Sequence, residues 1–320
     1  MTKIVVATAY GGPDVLSVVD VERPEPGPDE VRVAVRAAGV NPADLKARAG
    51  LFGDDPAHLP RRLGSEAAGV VTGVGPTISS PRVSGPHGPV AVGDEVIAYR
   101  AAGAYADEIV VPASSIVAKP QELGWAEAGG LLLTGATAVH LLTATDVAAG
   151  DTVLVHGGSG GVGLMLVQLA RLRGARVVAT AGPGNHDRLR DLGAEPVAYG
   201  AGLVDRVRTV APDGVDVALD LVGTDEAMDV SLALVADRRR IATIANFARG
   251  PREGVAVLGG GPGADPGTEI RDAARSKLAQ LAGDGLLRVF VAATFPLDRV
   301  ADAHRMAAGA HPGGKILLVP

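Results

Sequence analysis

Asp151-Thr-Val-Leu-Val-His-Gly-Gly-Ser-Gly-Gly-Val-Gly163 decides how this chain is read. Thr152 to Val155 is a short apolar, β-branched run, the composition of a buried parallel strand. Glycines follow at once, and Leu164-Met-Leu-Val-Gln-Leu-Ala-Arg-Leu-Arg173 then reads as a helix closed by Gly174. Gly158, Gly160 and Gly163 are spaced G-x-G-x-x-G. In that pattern the first glycine permits a tight turn, the second admits a pyrophosphate close to the backbone, and the third lets helix and strand pack. Free N–H groups and a partial positive charge at the helix start favour phosphate. A second strand at Arg176–Thr180 completes the βαβ unit, so the stretch reads as a dinucleotide site.

Outward from this turn, strands and helices alternate: Arg176–Thr180, His186–Leu192, Pro196–Tyr199, Leu203–Val210, Val215–Asp220, Thr224–Leu234 and Arg240–Ile244. Strands separated by single helices mean a doubly wound parallel sheet. Upstream, Ala126–Leu133 and Ala136–Thr145 read as helices. Residues 1–120 are β-rich, with runs at Ile4–Ala9, Leu16–Val21, Val31–Ala37, Ala68–Val74, Glu95–Ala98 and Ala106–Val111 punctuated by Gly and Pro. Asn41 caps a short helix at Pro42–Ala49, and Pro76–Pro89 reads as a surface loop. After a glycine-rich run to Gly267, a helix at Glu269–Ala282, a strand at Arg288–Ala292, a helix at Leu297–Met306 and a strand at Lys315–Val319 close the chain.

At 320 residues the chain is long enough for two domains. Its net charge of −6 argues against a nucleic-acid surface. It has no cysteine, which excludes disulfides, a thiolate nucleophile and Cys-ligated zinc, and fits a cytoplasmic chain. Met1-Thr-Lys-Ile-Val-Val reads as a strand and not as a secretion signal, and no apolar run approaches the ~20 residues that span a bilayer.

Several stretches together resemble the zinc-free quinone oxidoreductase (zeta-crystallin-like) branch of the medium-chain dehydrogenase/reductase superfamily. They are Ala38-Gly-Val-Asn-Pro-Ala-Asp44, Leu63-Gly-Ser-Glu-Ala-Ala-Gly-Val-Val71, Val92-Gly-Asp-Glu-Val96, Leu133-Thr-Gly-Ala-Thr-Ala138, His156–Gly163 with Gln168-Leu-Ala170, and Gly314-Lys315. The resemblance covers the whole chain. It implies an α/β fold: a GroES-like β-barrel domain over residues 1–121 and 261–320, and a Rossmann NADP(H)-binding domain over 122–260, with the active cleft between them. Zinc alcohol dehydrogenases of the superfamily hold their metal with Cys and His. Asn41 and Ser65 stand at two of those positions here, so the expected hydride acceptor is already electrophilic: a quinone or an α,β-unsaturated carbonyl.

No acid stands at the tip of the second strand, where Thr180 and Ala181 lie; this favours a 2′-phosphate and hence NADP(H). By family position the cofactor-binding set is Ser159, Gly160, Gly161, Val162, Gly163, Thr180, Asn185, Arg188, Tyr199, Val222 and Asn246. Asn41 and Thr134 are the expected catalytic residues, and Asn41, Phe52 and Phe247 line the expected acceptor pocket. Asp44, Ser65 and Glu66 are read as structural, and so are His140 and His156. No metal is expected, and no proton donor is named. The resemblance implies a cytoplasmic homodimer without nucleic-acid or membrane partners. Two other readings stay open: a specialised enoyl reductase of secondary metabolism, and a non-enzymatic NADPH-binding relative.

Overall fold

A computed structural model describes residues 1–76, 84–85, 88–261, 263–309 and 313–320. The chain divides into two compact units, residues 1–133 with 275–311 and 315–320, and residues 134–274 with the short segment ending at Gly314. These changes of unit fall inside two helices, Leu132–Ala144 and Thr268–Gly283, where composition leaves no mark. The expected limits at 121/122 and 260/261 are those the family resemblance implies.

In the first unit, Glu30–Val40 is the central strand of a seven-stranded sheet. It pairs antiparallel with Glu66–Val74, Glu108–Pro112 and Lys315–Val319. Val33, Val71, Val96, Ile109 and Leu318 fill the core beneath it. The sequence placed the end of this strand at Ala37. It continues because Ala38, Gly39 and Val40 pair with Leu318, Leu317 and Ile316. That extension delivers Asn41 to the head of the helix Pro42–Arg48. The closing strand runs over Val291–Pro296, later than the expected Arg288–Ala292, where Lys315–Val319 offers a parallel partner. Among the described parts of Pro76–Pro89, Ser84–Gly85 pairs with Gly88–Pro89; residues 77–83 and 86–87 of that expected loop lie outside the described residues.

The second unit is built on six parallel strands. They are Thr152–His156, Arg176–Thr180, Glu195–Val197, Val217–Asp220, Ile241–Thr243 and Ala256–Val257. Numbered in chain order, they lie 3-2-1-4-5-6 across the sheet. This is the doubly wound order of two mononucleotide-binding halves, with the ligand crevice at the strands' C-terminal ends. Leu154, Val178, Ala218 and Ile241 pack its core. The sixth strand was not legible in the sequence. It is two residues long and is defined by pairing Ala256 with Ala242 and Val257 with Thr243.

Candidate functional site

The glycine turn distributes its roles differently from the simple spacing rule. Gly157, which precedes the spaced triplet, carries the left-handed conformation, with φ +83°. Gly158 serves packing, since a Cβ there would stand 2.7 Å from Ala179 Cβ. A Cβ on Gly163 would overlap the Gly157 carbonyl, so helix and turn can approach only without one. Gly160 differs: the nearest atom to a Cβ there is Gly157 O at 3.6 Å. Space is therefore left at the N-cap of the helix Gly161–Leu172. The N–H groups of Gly161, Val162 and Gly163 open that helix and have no intrahelical acceptor. Open space, unsatisfied donors and the dipole's positive end fit a pyrophosphate.

The second strand ends on Thr180, whose Oγ1 accepts the Gly157 N–H at 3.1 Å. Thr180 is buried and supports the turn from beneath. No carboxylate stands at this tip; Asp187 is exposed and pairs with Arg190 at 2.6 Å. Ser159, Asn185 and Arg188 gather around Gly313. A Cβ on Gly313 would stand 2.6 Å from Ser159 O, 3.1 Å from Asn185 Oδ1 and 3.3 Å from Arg188 Nη1. Gly314 N–H donates to Ser159 O at 3.2 Å. Three residues of the expected cofactor-binding set thus border the same glycine, Ser159 through its backbone carbonyl. Tyr199 is exposed, and its hydroxyl is 3.9 Å from the Cβ position of Gly182 in the same region. His186 Nε2 lies 3.1 Å from Ala181 O, which uses it locally.

Val222 and Asn246 follow the fourth and fifth strands. Val222 is half exposed, and a Cβ on Gly157 would come within 2.6 Å of its Cγ1. Asn246 Oδ1 accepts the Arg249 N–H at 3.1 Å, which fixes the amide's orientation. The Phe247 ring covers Gly261, where any Cβ would overlap it. Thr134 lies within a helix and not in the gap between the two helices expected at Ala126–Leu133 and Ala136–Thr145. The helix begins at Leu132, which places Thr134 buried in the first turn.

In the first unit, Asn41 is 1% exposed and held from all sides. Its NH2 group donates to Gly39 O at 3.2 Å and Glu66 Oε1 at 3.1 Å. Its Oδ1 accepts Lys315 Nζ at 2.6 Å, and the same ammonium donates to Glu66 Oε1 at 2.8 Å. Glu66 Oε2 takes the Leu133 N–H at 2.9 Å. Both amide hydrogens of Asn41 are spent, so only its oxygen has capacity left. Asn41 N–H also donates to Asp44 Oδ2 at 2.9 Å, in the capping box of its helix. Phe52 is 38% exposed on the segment after that helix.

A second buried polar chain runs behind Asn41. The Tyr105 hydroxyl donates to Asp44 Oδ2 at 2.9 Å, Tyr105 meets the His304 ring edge-on at 5.8 Å, and Arg48 Nη1 lies 3.3 Å from His304 Nδ1. Burial pushes Asp44 up to about 6, against the Tyr105 and Asn41 hydrogen bonds. Burial, with Arg48 beside it, pushes His304 down to about 4. His156 is also held down, to about 4, by burial, with Asp220 pulling the other way. His140 Nδ1 accepts Arg271 Nε at 3.2 Å, and its Nε2 faces Asp265 at 3.3 Å. Burial and Arg271 lower its pKa. These histidines are neutral packing elements near pH 7. Lys315 has a place in a family stretch but no role there, and the sequence marks neither Tyr105 nor His304. The available signal was Lys315 itself, a cation opening the apolar strand Lys315–Val319.

A crossover sheet with an anion-ready glycine turn, joined to a β-rich unit, defines a dinucleotide-dependent oxidoreductase. The chain matches the family models described as alcohol dehydrogenase GroES-like domain over residues 27–121 and zinc-binding dehydrogenase over residues 161–259. It is similar to a quinone oxidoreductase of Pseudomonas aeruginosa, 34% identical over 100% of both chains. Among solved structures, it is similar to a mycobacterial protein complexed with NADPH (31% identity, 100% of both chains, TM-score 0.84). It is also similar to a protein described as an NAD-dependent alcohol dehydrogenase (30%, 99% of both chains, TM-score 0.84). This chain belongs to the medium-chain dehydrogenase/reductase superfamily, in its quinone oxidoreductase branch. A zinc ion of the kind one family model is named for does not fit beside Asn41. The chain has no cysteine, and the Lys315 ammonium already sits against the Asn41 and Glu66 oxygens. Among the described residues no three His, Cys, Asp or Glu side chains are grouped to hold a metal, and no helix is long and apolar enough to cross a membrane.

Proposed function

We propose that the protein is an NADPH-dependent reductase of quinones or α,β-unsaturated carbonyls that works without a metal. The observation that carries the cofactor half is the cluster of Ser159, Asn185 and Arg188 around Gly313, beside a second strand whose tip bears no acid. An NAD-selecting carboxylate would repel a 2′-phosphate; an amide and a guanidinium attract one. The N–H groups of Gly161, Val162 and Gly163 hold the pyrophosphate, and Tyr199 lies at the adenosine end. A bound reduced nicotinamide supplies hydride. Conjugation in the acceptor spreads the incoming negative charge, so no Lewis acid is needed.

Val222 and Asn246 then face the nicotinamide half. The NH2 of Asn246 has no protein partner among the described residues and is available to donate. Phe247 and Thr134, in the same unit, are the proposed acceptor contacts there; Asn41 and Phe52 enter as acceptor contacts through the family resemblance alone. Solvent supplies the proton to the reduced acceptor, since a hydroquinone anion can take one from water. By the family resemblance the working form is a homodimer, which light scattering checks.

The test is a titration with NADPH and NADH. Tight NADPH and weak NADH are expected, with Arg188→Ala erasing the difference while leaving NADH unchanged. Equal affinities in the parent protein would overturn the cofactor assignment. An acceptor panel of simple quinones and enones then tests the second half; no turnover across it would favour a carrier-bound enoyl substrate or a binding role.

A further inference from the structure

The fourth and fifth strands end on two polar residues that no composition rule singles out. Asp220 and Thr243 are partners in the parallel register, and both are fully buried. Asp220 Oδ1 accepts the N–H groups of Val222 at 2.9 Å and Gly223 at 2.8 Å. Its Oδ2 accepts the Thr243 hydroxyl at 2.8 Å. Thr243 Oγ1 in turn accepts the N–H groups of Ala245 at 3.1 Å and Asn246 at 2.9 Å. The hydroxyl therefore donates once and accepts twice, its full capacity. One carboxylate and one hydroxyl fix the backbone of both turns that carry Val222 and Asn246.

In a 3-2-1-4-5-6 sheet the two halves of a dinucleotide lie on either side of the first strand. Asn185 and Arg188 follow the second strand and Tyr199 the third, so with the 2′-phosphate read there the fourth and fifth face the nicotinamide half. We propose that Asp220 and Thr243 are positioning residues for the nicotinamide half of the cofactor alone, acting through the backbone of Val222 and Asn246. The proposal rests on the reading that the site takes NADP(H). The adenosine half is held by separate residues. Loss of the pair should therefore divide the two halves energetically.

Thr243→Val keeps the shape of the side chain and removes both its donor and its acceptors. Adenosine 2′,5′-bisphosphate carries the phosphates and the adenosine but not the nicotinamide, so it reports on one half only. With the intact protein, NADPH titrated by fluorescence should bind Thr243→Val about tenfold more weakly than the parent. Adenosine 2′,5′-bisphosphate, measured by calorimetry, should stay within about twofold. Thr243→Ser, which keeps the hydroxyl, should restore NADPH binding. Equal weakening of both ligands would mean a general loosening of the unit and would overturn the proposal; so would unchanged NADPH binding. A parent protein that binds neither ligand would fail the cofactor reading itself and take this proposal with it. If Thr243→Val does not fold, Asp220→Asn, which keeps an acceptor for Val222 and Gly223, carries the same comparison.

Discussion

Removing Lys315 should expose how the Asn41 cluster is held. Glu66 is fully buried, and among the described residues the cation paired with it is the Lys315 ammonium at 2.8 Å. Lys315→Met preserves most of the stem's volume and deletes the charge. Glu66 then retains the Leu133 and Asn41 N–H groups but has no counter-charge. Breaking one partner of a buried ion pair costs about 3–5 kcal/mol, because a charge is left where water cannot reach it. For a unit of this size 1 kcal/mol corresponds to about 2–4 °C in Tm, so the expected fall is roughly 10 °C. The intact pair need not be strongly stabilising, since its desolvation offsets much of its attraction. The double variant Lys315→Met/Glu66→Gln should therefore recover at least half of the loss, its amide oxygen still available to Leu133. Denaturant unfolding of the parent, both singles and the double, read as a cycle, gives the coupling directly. A single-variant cost below about 1 kcal/mol, or a double variant as unstable as the two singles combined, would refute the account of a dry, mutually dependent pair.

Gly160→Ala should leave Tm within about 2 °C, because a Cβ there meets only open space, yet weaken NADPH binding at least about tenfold by occupying the pyrophosphate's place. Gly163→Ala, measured in the same two assays, should instead lose stability, since its Cβ overlaps the Gly157 carbonyl. Acid stability carries two opposed signs. His304, near 6.5 when unfolded and about 4 when folded, binds more protons in the unfolded state, so stability is lost as pH falls through that window. Asp44, raised from 3.8 to about 6, binds more protons when folded, so its contribution is lost as pH rises over about 4–6. Unfolding free energies at pH 5 and 7 should accordingly show a flatter acid limb in His304→Gln and a steeper one in Asp44→Asn.

The sequence alone determined the class of fold and the place of the dinucleotide turn, because both are written locally. Alternating strand and helix periods define a parallel sheet, and a glycine cluster between strand and helix can only be a close-approach turn. The absence of cysteine and of an acid after Arg176–Thr180 was equally legible, since it depends on residue identity and not on partners. Tertiary structure decided which residues share a site. Asn41 reads as a helix cap, and the capping box is there, but its side chain is claimed by Lys315, far away in sequence and delivered by the strand that pairs Leu318 with Ala38. Gly158 reads as the tight-turn glycine, yet the positive φ falls on Gly157, because Ala179 of the neighbouring strand sets what Gly158 must avoid. Ser159, Asn185 and Arg188 all border Gly313, a residue far away in sequence. Asp220 and Thr243 carry no local signal, since each ends an ordinary apolar strand. Their pairing exists only once two strands lie side by side and burial makes every unpaired polar group costly.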